Sequence, residues 1–159
     1  MRELPTRKPN RLKGYDYSQN GYYFITICTI NRHELLWCPP VGARIARPSL
    51  SDIGEVVKKA IENISHVYKS IVVDKYVIMP NHIHLILIIC NDHGRAMRAP
   101  TISTVINQMK GYVSKTIGYS IWQKLFHDHI IRNKVDYQKI RKYIDENPTR
   151  WEEDCFYQQ

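Results

Sequence analysis

Ser70-Ile-Val-Val-Asp-Lys-Tyr-Val-Ile-Met-Pro-Asn-His-Ile-His-Leu-Ile-Leu-Ile-Ile89 is the stretch on which the fold turns. Two runs rich in β-branched and aromatic residues flank a three-residue break, Met79-Pro80-Asn81, which predicts an antiparallel hairpin. The second run is apolar on both faces beyond His84, which places it at the centre of a sheet. At its mouth stand His82 and His84, two residues apart and so on one face of the strand, with Ile83 turned the other way into a core. Two imidazoles so placed reach a single cation, although spacing alone equally allows two plain polar groups at a strand's opening.

Outward from the hairpin, Tyr22 to Ile30 (Tyr-Tyr-Phe-Ile-Thr-Ile-Cys-Thr-Ile) reads as a first, largely buried strand. Asp52 with Glu55 marks a helix start, followed by Ile53, Val56, Val57, Ala60, Ile61 and Ile64 at helical spacing. A second helix is predicted from about Thr101 to Ile117, with Gly118 as its stop. Leu125 to Ile131 reads as a fourth strand. A third helix over Lys134 to Asn147 is halted by Pro148, because the residue before proline is pushed out of helical geometry. The order β-α-β-β-α-β-α predicts an α+β domain: a four-stranded antiparallel sheet of ferredoxin or RNA-recognition (RRM) type with helices on one face.

A chain of 159 residues fits one domain able to bury roughly two-thirds of its unfolded surface without staples. We divide it into a basic N-terminal arm (1–20), a single domain (21–151) and a short acidic C-terminal tail (152–159). The four cysteines, Cys28, Cys38, Cys90 and Cys155, form no Cys-x-x-Cys pair, which suggests neither a zinc site nor a disulfide framework and fits a reducing cytoplasm. No apolar run approaches a membrane span, and the first residues lack the apolar core of a signal peptide. A formal charge of +8 points to a polyanionic partner. Two proline- and arginine-containing loops, 38–51 with Arg44 and Arg47 and 91–100, read as exposed. Lys110, Lys115 and Arg132, with the arm and those loop arginines, are the candidate phosphate contacts.

On the third helix, Tyr143 and Asn147 are one turn apart. Tyr143 falls at the margin of the apolar stripe, where a ring can be buried while its hydroxyl faces a cleft. Most of the eleven tyrosines will be packing or surface residues, and spacing does not single this one out.

Met79-Pro-Asn-His-Ile-His-Leu85, Phe126-His-Asp-His-Ile-Ile-Arg132, Tyr143-Ile-Asp-Glu-Asn-Pro148 and Tyr23-Phe-Ile-Thr-Ile-Cys-Thr29 resemble the signature blocks of the single-tyrosine HUH transposases. HUH denotes histidine, hydrophobic residue, histidine. The Tyr-Ile-x-x-Asn-Pro block is more similar to the REP-associated tyrosine transposases than to the shortest insertion-sequence enzymes.

The resemblance implies a metal-dependent endonuclease and strand transferase acting on single-stranded DNA beside a hairpin formed by a palindrome. It implies Mg²⁺ or Mn²⁺ held by His82 and His84, Asn147 as the oxygen-donating third ligand, and Tyr143 as the nucleophile that forms a 5′-phosphotyrosine. His129, in the second histidine pair His127-Asp128-His129, is expected to support the site or contact DNA. Insertion-sequence relatives share sites within a dimer and some REP-associated ones act alone, so monomer and homodimer both stay open. The acidic tail leaves little room for the C-terminal extension of some relatives, which argues against autoregulation by a tail. The reading from another class is a non-catalytic single-stranded nucleic-acid-binding module with an RRM-like sheet.

Overall fold

The structure, a computed structural model, describes residues 11–39, 49–91 and 100–157. Four strands, β1 (Gly21–Cys28), β2 (Ile71–Ile78), β3 (His82–Ile89) and β4 (His127–Ile131), form one antiparallel sheet in the order β2-β3-β1-β4. With α1 (Asp52–Val67), α2 (Ile102–Ile117) and α3 (Lys134–Glu146), the chain runs β-α-β-β-α-β-α as expected. The doubly apolar run of β3 is indeed central, between β2 and β1.

Alternation along the strands sorts residues into two cores. Ile83, Leu85, Leu87 and Ile89 of β3 join Tyr23, Ile25 and Ile27 of β1 beneath α1 and α2. Ile86 faces the other way and packs with Ile131 of β4 and Ile144 of α3. The expectation of helices on one face therefore holds for α1 and α2, whereas α3 crosses the opposite face. The physical reason lies in β3 itself: Ile86 is fully buried on the second face and needs a cover there.

Each helix begins at a side-chain cap. Ser51 Oγ accepts the Gly54 amide at 3.0 Å, so α1 is capped one residue before Asp52, which instead occupies the first turn. Thr101 and Asn133 cap α2 and α3 in the same way. Gly118 closes α2 in the left-handed region at φ 90°. Gly54 sits so close to the preceding loop that a Cβ there would lie 2.1 Å from the Leu36 carbonyl oxygen. β1 stops at Cys28 rather than Ile30, because Asn31 and Arg32 take positive φ and turn the chain away. β4 begins at His127, two residues later than its apolar pattern suggests.

Two details of β2 and β3 bear on the site. The hairpin turn is buried: Met79, Pro80 and Asn81 are all covered, because the Pro80 carbonyl accepts from the Leu36 amide and the Asn81 carbonyl from the Thr29 amide. In β2, the register with β3 slips between Val73 and Lys75, which leaves Asp74 as an extra residue, a β-bulge. The Asp74 carboxylate accepts from the Tyr137 hydroxyl at 2.9 Å and from Arg141 at 3.4 Å, and Lys75 pairs with Asp145 at 2.6 Å. These contacts tie α3 to the sheet edge. Among the described residues, no helix is long and apolar enough to cross a membrane.

Candidate metal and nucleophile site

Strand β3 delivers both histidines to the face covered by α3. Their Nε2 atoms lie 3.0 Å apart. His82 Nδ1 is 2.8 Å from Asn81 Oδ1, an acceptor, so that nitrogen carries the proton and Nε2 is left with its lone pair. His84 Nδ1 is held at 2.8 Å by Thr26 Oγ1 on the neighbouring strand. Phe24 stacks on His84 with ring centroids 5.2 Å apart. Burial holds both imidazoles below their ordinary titration range; for His82 the Arg32 charge adds to this and the Asp154 carboxylate opposes it, and for His84 its partner ring adds to it. They are neutral at physiological pH.

Helix α3 brings Tyr143 over this pair. Its hydroxyl lies 3.2 Å from His84 Nε2 and 3.3 Å from Asp154 Oδ2, while its ring meets Phe24 edge-on. Burial and then the Asp154 carboxylate push the phenol up to about 12, so it rests protonated. Asn147 sits at the C-cap of α3, 3% exposed, with neither amide atom hydrogen-bonded. A buried amide left without partners is costly and marks a place where another group belongs. A cavity of about 140 Å³, lined by Tyr143, Glu146, Asn147, Arg150, Glu153 and Asp154, opens beside it.

Asp154, which the sequence reading gave no role, closes the arrangement. It ends the 3-10 turn Asn147–Glu153, and its carboxylate faces His82 Nε2 at 4.0 Å with its side chain 2% exposed. With His82 held neutral, this is not an ion pair. One ligand atom each from His82, His84 and Asp154 falls within a 4.8 Å circle. Octahedral ligands at about 2.1 Å stand about 3.0 Å apart at neighbouring corners and about 4.2 Å at opposite ones. The imidazole separation matches a neighbouring pair. The orphaned Asn147 amide and this mixed nitrogen and oxygen set fit a divalent cation such as Mg²⁺ or Mn²⁺.

Three further residues escaped the sequence reading. Asn81 uses its oxygen on His82 and its Nδ2 on the Phe156 carbonyl at 2.8 Å, so one amide joins strand and C-terminal segment. Phe156 lies against His82, with centroids 4.5 Å apart, and Trp151 lies 5.9 Å from the same ring. Of these, only Asn81 carried a signal, being a buried-turn asparagine directly before the first histidine.

The remaining candidates scatter. His129 is exposed and bonds Asp136 at 2.8 Å, at the start of α3, rather than the histidine pair. Arg132 is exposed where β4 leads into α3. Lys115 is exposed on α2, the helix packed on the other face of the sheet. Lys110 corrects the expectation of a free surface cation: it is 8% exposed, its ammonium donating to the Gln123 and Lys124 carbonyls. Its aliphatic stem lies along the core side of α2, which leaves no ammonium free for phosphate. Arg44 and Arg47 lie outside the described residues.

The sheet and the helices packed on it make a fold that known proteins share. A REP-associated tyrosine transposase bound to a REP hairpin matches with a TM-score of 0.65 and 22% identity, over 89% of this chain and 74% of that one. A Deinococcus radiodurans protein assigned as a transposase matches with a TM-score of 0.50 and 16% identity, over 86% and 95%. These likenesses bear out, at the level of fold, the resemblance to the single-tyrosine HUH transposases. No family model matches the chain. An uncharacterized protein of Haemophilus influenzae is 34% identical over 171 aligned positions, 95% of this chain and 93% of that one, and this chain belongs to its family.

Proposed function

We propose that this chain is a divalent-metal-dependent single-stranded DNA endonuclease and strand transferase of the HUH transposase type, working through Tyr143 beside a DNA hairpin. The observation that carries this reading is the Tyr143 hydroxyl 3.2 Å from His84 Nε2, directly over the facing imidazoles. A phenol, two metal-ready imidazoles and a buried unpartnered amide converge in one small space, which a binding sheet of RRM type does not require. The REP hairpin held by the solved transposase supports a hairpin as the substrate here.

His82 and His84, with Asn147 as an oxygen donor, would hold the cation. When bound, it would polarise the scissile phosphate and neutralise charge gathering on its oxygens. The protein's own residues do the rest. Asn81 and Thr26 fix the imidazole rings, and Phe24 limits the swing of Tyr143. The tyrosine oxygen attacks phosphorus as the bond to the 3′ oxygen breaks. The phenol gives up its proton, the leaving 3′ oxygen gains one, and the products are a 5′-phosphotyrosine and a free 3′-OH. Attack by another 3′-OH reverses the step and joins strands. Tyr143 reaches the histidines of its own chain, which supports a complete site within one protomer. Arg132 and the N-terminal arm would contribute phosphate contacts.

The test is incubation of the chain with a single-stranded hairpin oligonucleotide and Mn²⁺, followed by denaturing electrophoresis. A covalent protein–DNA adduct that requires the metal is expected. Tight binding without an adduct at any Mn²⁺ or Mg²⁺ concentration would instead establish a non-catalytic binding module.

A further inference from the structure

Beside the histidine pair stands a buried carboxylate, and it comes from the C-terminal segment rather than from the tyrosine helix. We propose that Asp154 is a direct ligand of the same divalent cation, an inference that rests on the metal-dependent reading above.

Four observations converge on it. Asp154 Oδ1 is already used, accepting the Phe156 amide at 2.8 Å, which fixes the carboxylate and leaves Oδ2 as the oxygen facing Tyr143 and His82. The carboxylate is almost fully buried, yet among the described residues no lysine or arginine nitrogen comes within ion-pairing distance of it. A carboxylate so buried, with no cation at ion-pairing distance, is costly unless it is paired or bound to metal. The donor atoms of His82, His84 and Asp154 already lie within 4.8 Å of one another. Finally, the Asn147 amide lines the same cavity without a partner, so the space between the two oxygen donors is polar and unfilled by protein.

The ligand's position has a consequence. Asp154 stands on a segment keyed to the sheet by Asn81, which bonds the Phe156 carbonyl, and by Arg32, which lies over the Phe156 ring at 5.1 Å. A cation bridging Asp154 and the histidines therefore binds segment and sheet together. Metal binding and docking of residues 154–156 favour one another, by the reciprocity that links any two coupled equilibria.

The experiment is calorimetric titration of Mn²⁺ into the metal-free full chain, paired with the electron-spin-resonance signal of unbound Mn²⁺. Asp154→Asn keeps an oxygen for the Phe156 amide and removes the charge. The parent chain should bind one Mn²⁺, and Asp154→Asn should bind it at least about tenfold more weakly, since loss of mere outer partners already costs that much. Its urea midpoint in EDTA should stay near the parent's. His84→Ala is the control for the underlying reading. If Asp154→Asn binds Mn²⁺ like the parent while His84→Ala does not, the proposal is overturned and the histidine site stands. If Asp154→Asn is weakened but His84→Ala is not, Asp154 serves a different cation and the proposal is again overturned. A parent chain that binds no Mn²⁺ overturns both.

Discussion

The Tyr143 hydroxyl is the group whose loss should separate chemistry from everything else. Tyr143→Phe keeps the ring against Phe24 and His84 and removes only the oxygen. It should fold and bind DNA and Mn²⁺ as the parent does, yet lose the covalent adduct by at least about a thousandfold, as expected when the group acts only in the transition state. Tyr137→Phe is the contrasting variant: its hydroxyl bonds Asp74, outside the site, so adduct formation should survive. An adduct retained in the first and lost in the second would move the nucleophile to Tyr137. The histidines make a second measurable statement. Folded, they resist protonation because burial disfavours the charged form; unfolded, they take up protons near 6.5. The unfolded state thus binds more protons below that pH, and stability falls as pH drops through the range beneath about 6.5. Urea midpoints in EDTA at pH 7.5, 6 and 5 should decline in step, and less steeply in His84→Ala. At this scale the His82–His84 pair was legible because strand alternation is local. Asp154 was not, since no periodicity links it to a strand seventy residues earlier.

Among the elements, caps and stops were readable to within a residue or two, because Ser51, Gly118 and Pro148 act on their immediate neighbours. The side of the sheet on which α3 lies was not readable in that way. Its stripe, Tyr137, Ile140 and Ile144, specifies an apolar contact but not which sheet face offers it. Ile86 held that information, in a strand apolar on both faces. Gly54 shows the same limit from within a helix. A glycine in a helix lowers its propensity, whereas the structure makes Gly54 the point where α1 meets the Leu36 carbonyl. Gly54→Ala would raise helix propensity and still cost about 1–3 kcal/mol, since backbone must shift to admit the methyl. A lower urea midpoint with an unchanged slope is the expected result. A more stable variant would mean that the loop before α1 yields freely.

For the whole molecule, affinity and cleavage should come apart. Phosphate contacts by exposed cations such as Arg132 would not involve the imidazoles, so His84→Ala should abolish Mn²⁺-dependent cleavage and keep most single-strand binding. That binding should weaken steeply with salt, with a log–log slope of about −0.7 for each phosphate contacted. A flat response would exclude nucleic acid as the partner. The net charge of +8 points to a polyanion, but buried Lys110 warns that a formal charge is not a surface charge. One residue in β2 ties these scales together. Before Asp74, Ile71 and Val73 face the α1 and α2 core; after it, Tyr76 and Ile78 do, and Val77 turns to the other side. The bulge thus shifts the strand's phase by one. Deleting Asp74 would keep this phase, since an unbroken two-residue beat from Ile71 then still turns Val73, Tyr76 and Ile78 to the main core and Lys75 and Val77 to the other side. The carboxylate that holds Tyr137 and Arg141 would vanish, which leaves Lys75–Asp145 to fix the roll of α3 beneath Tyr143. A single extra residue at the sheet's edge thus supplies a carboxylate that holds the helix carrying Tyr143.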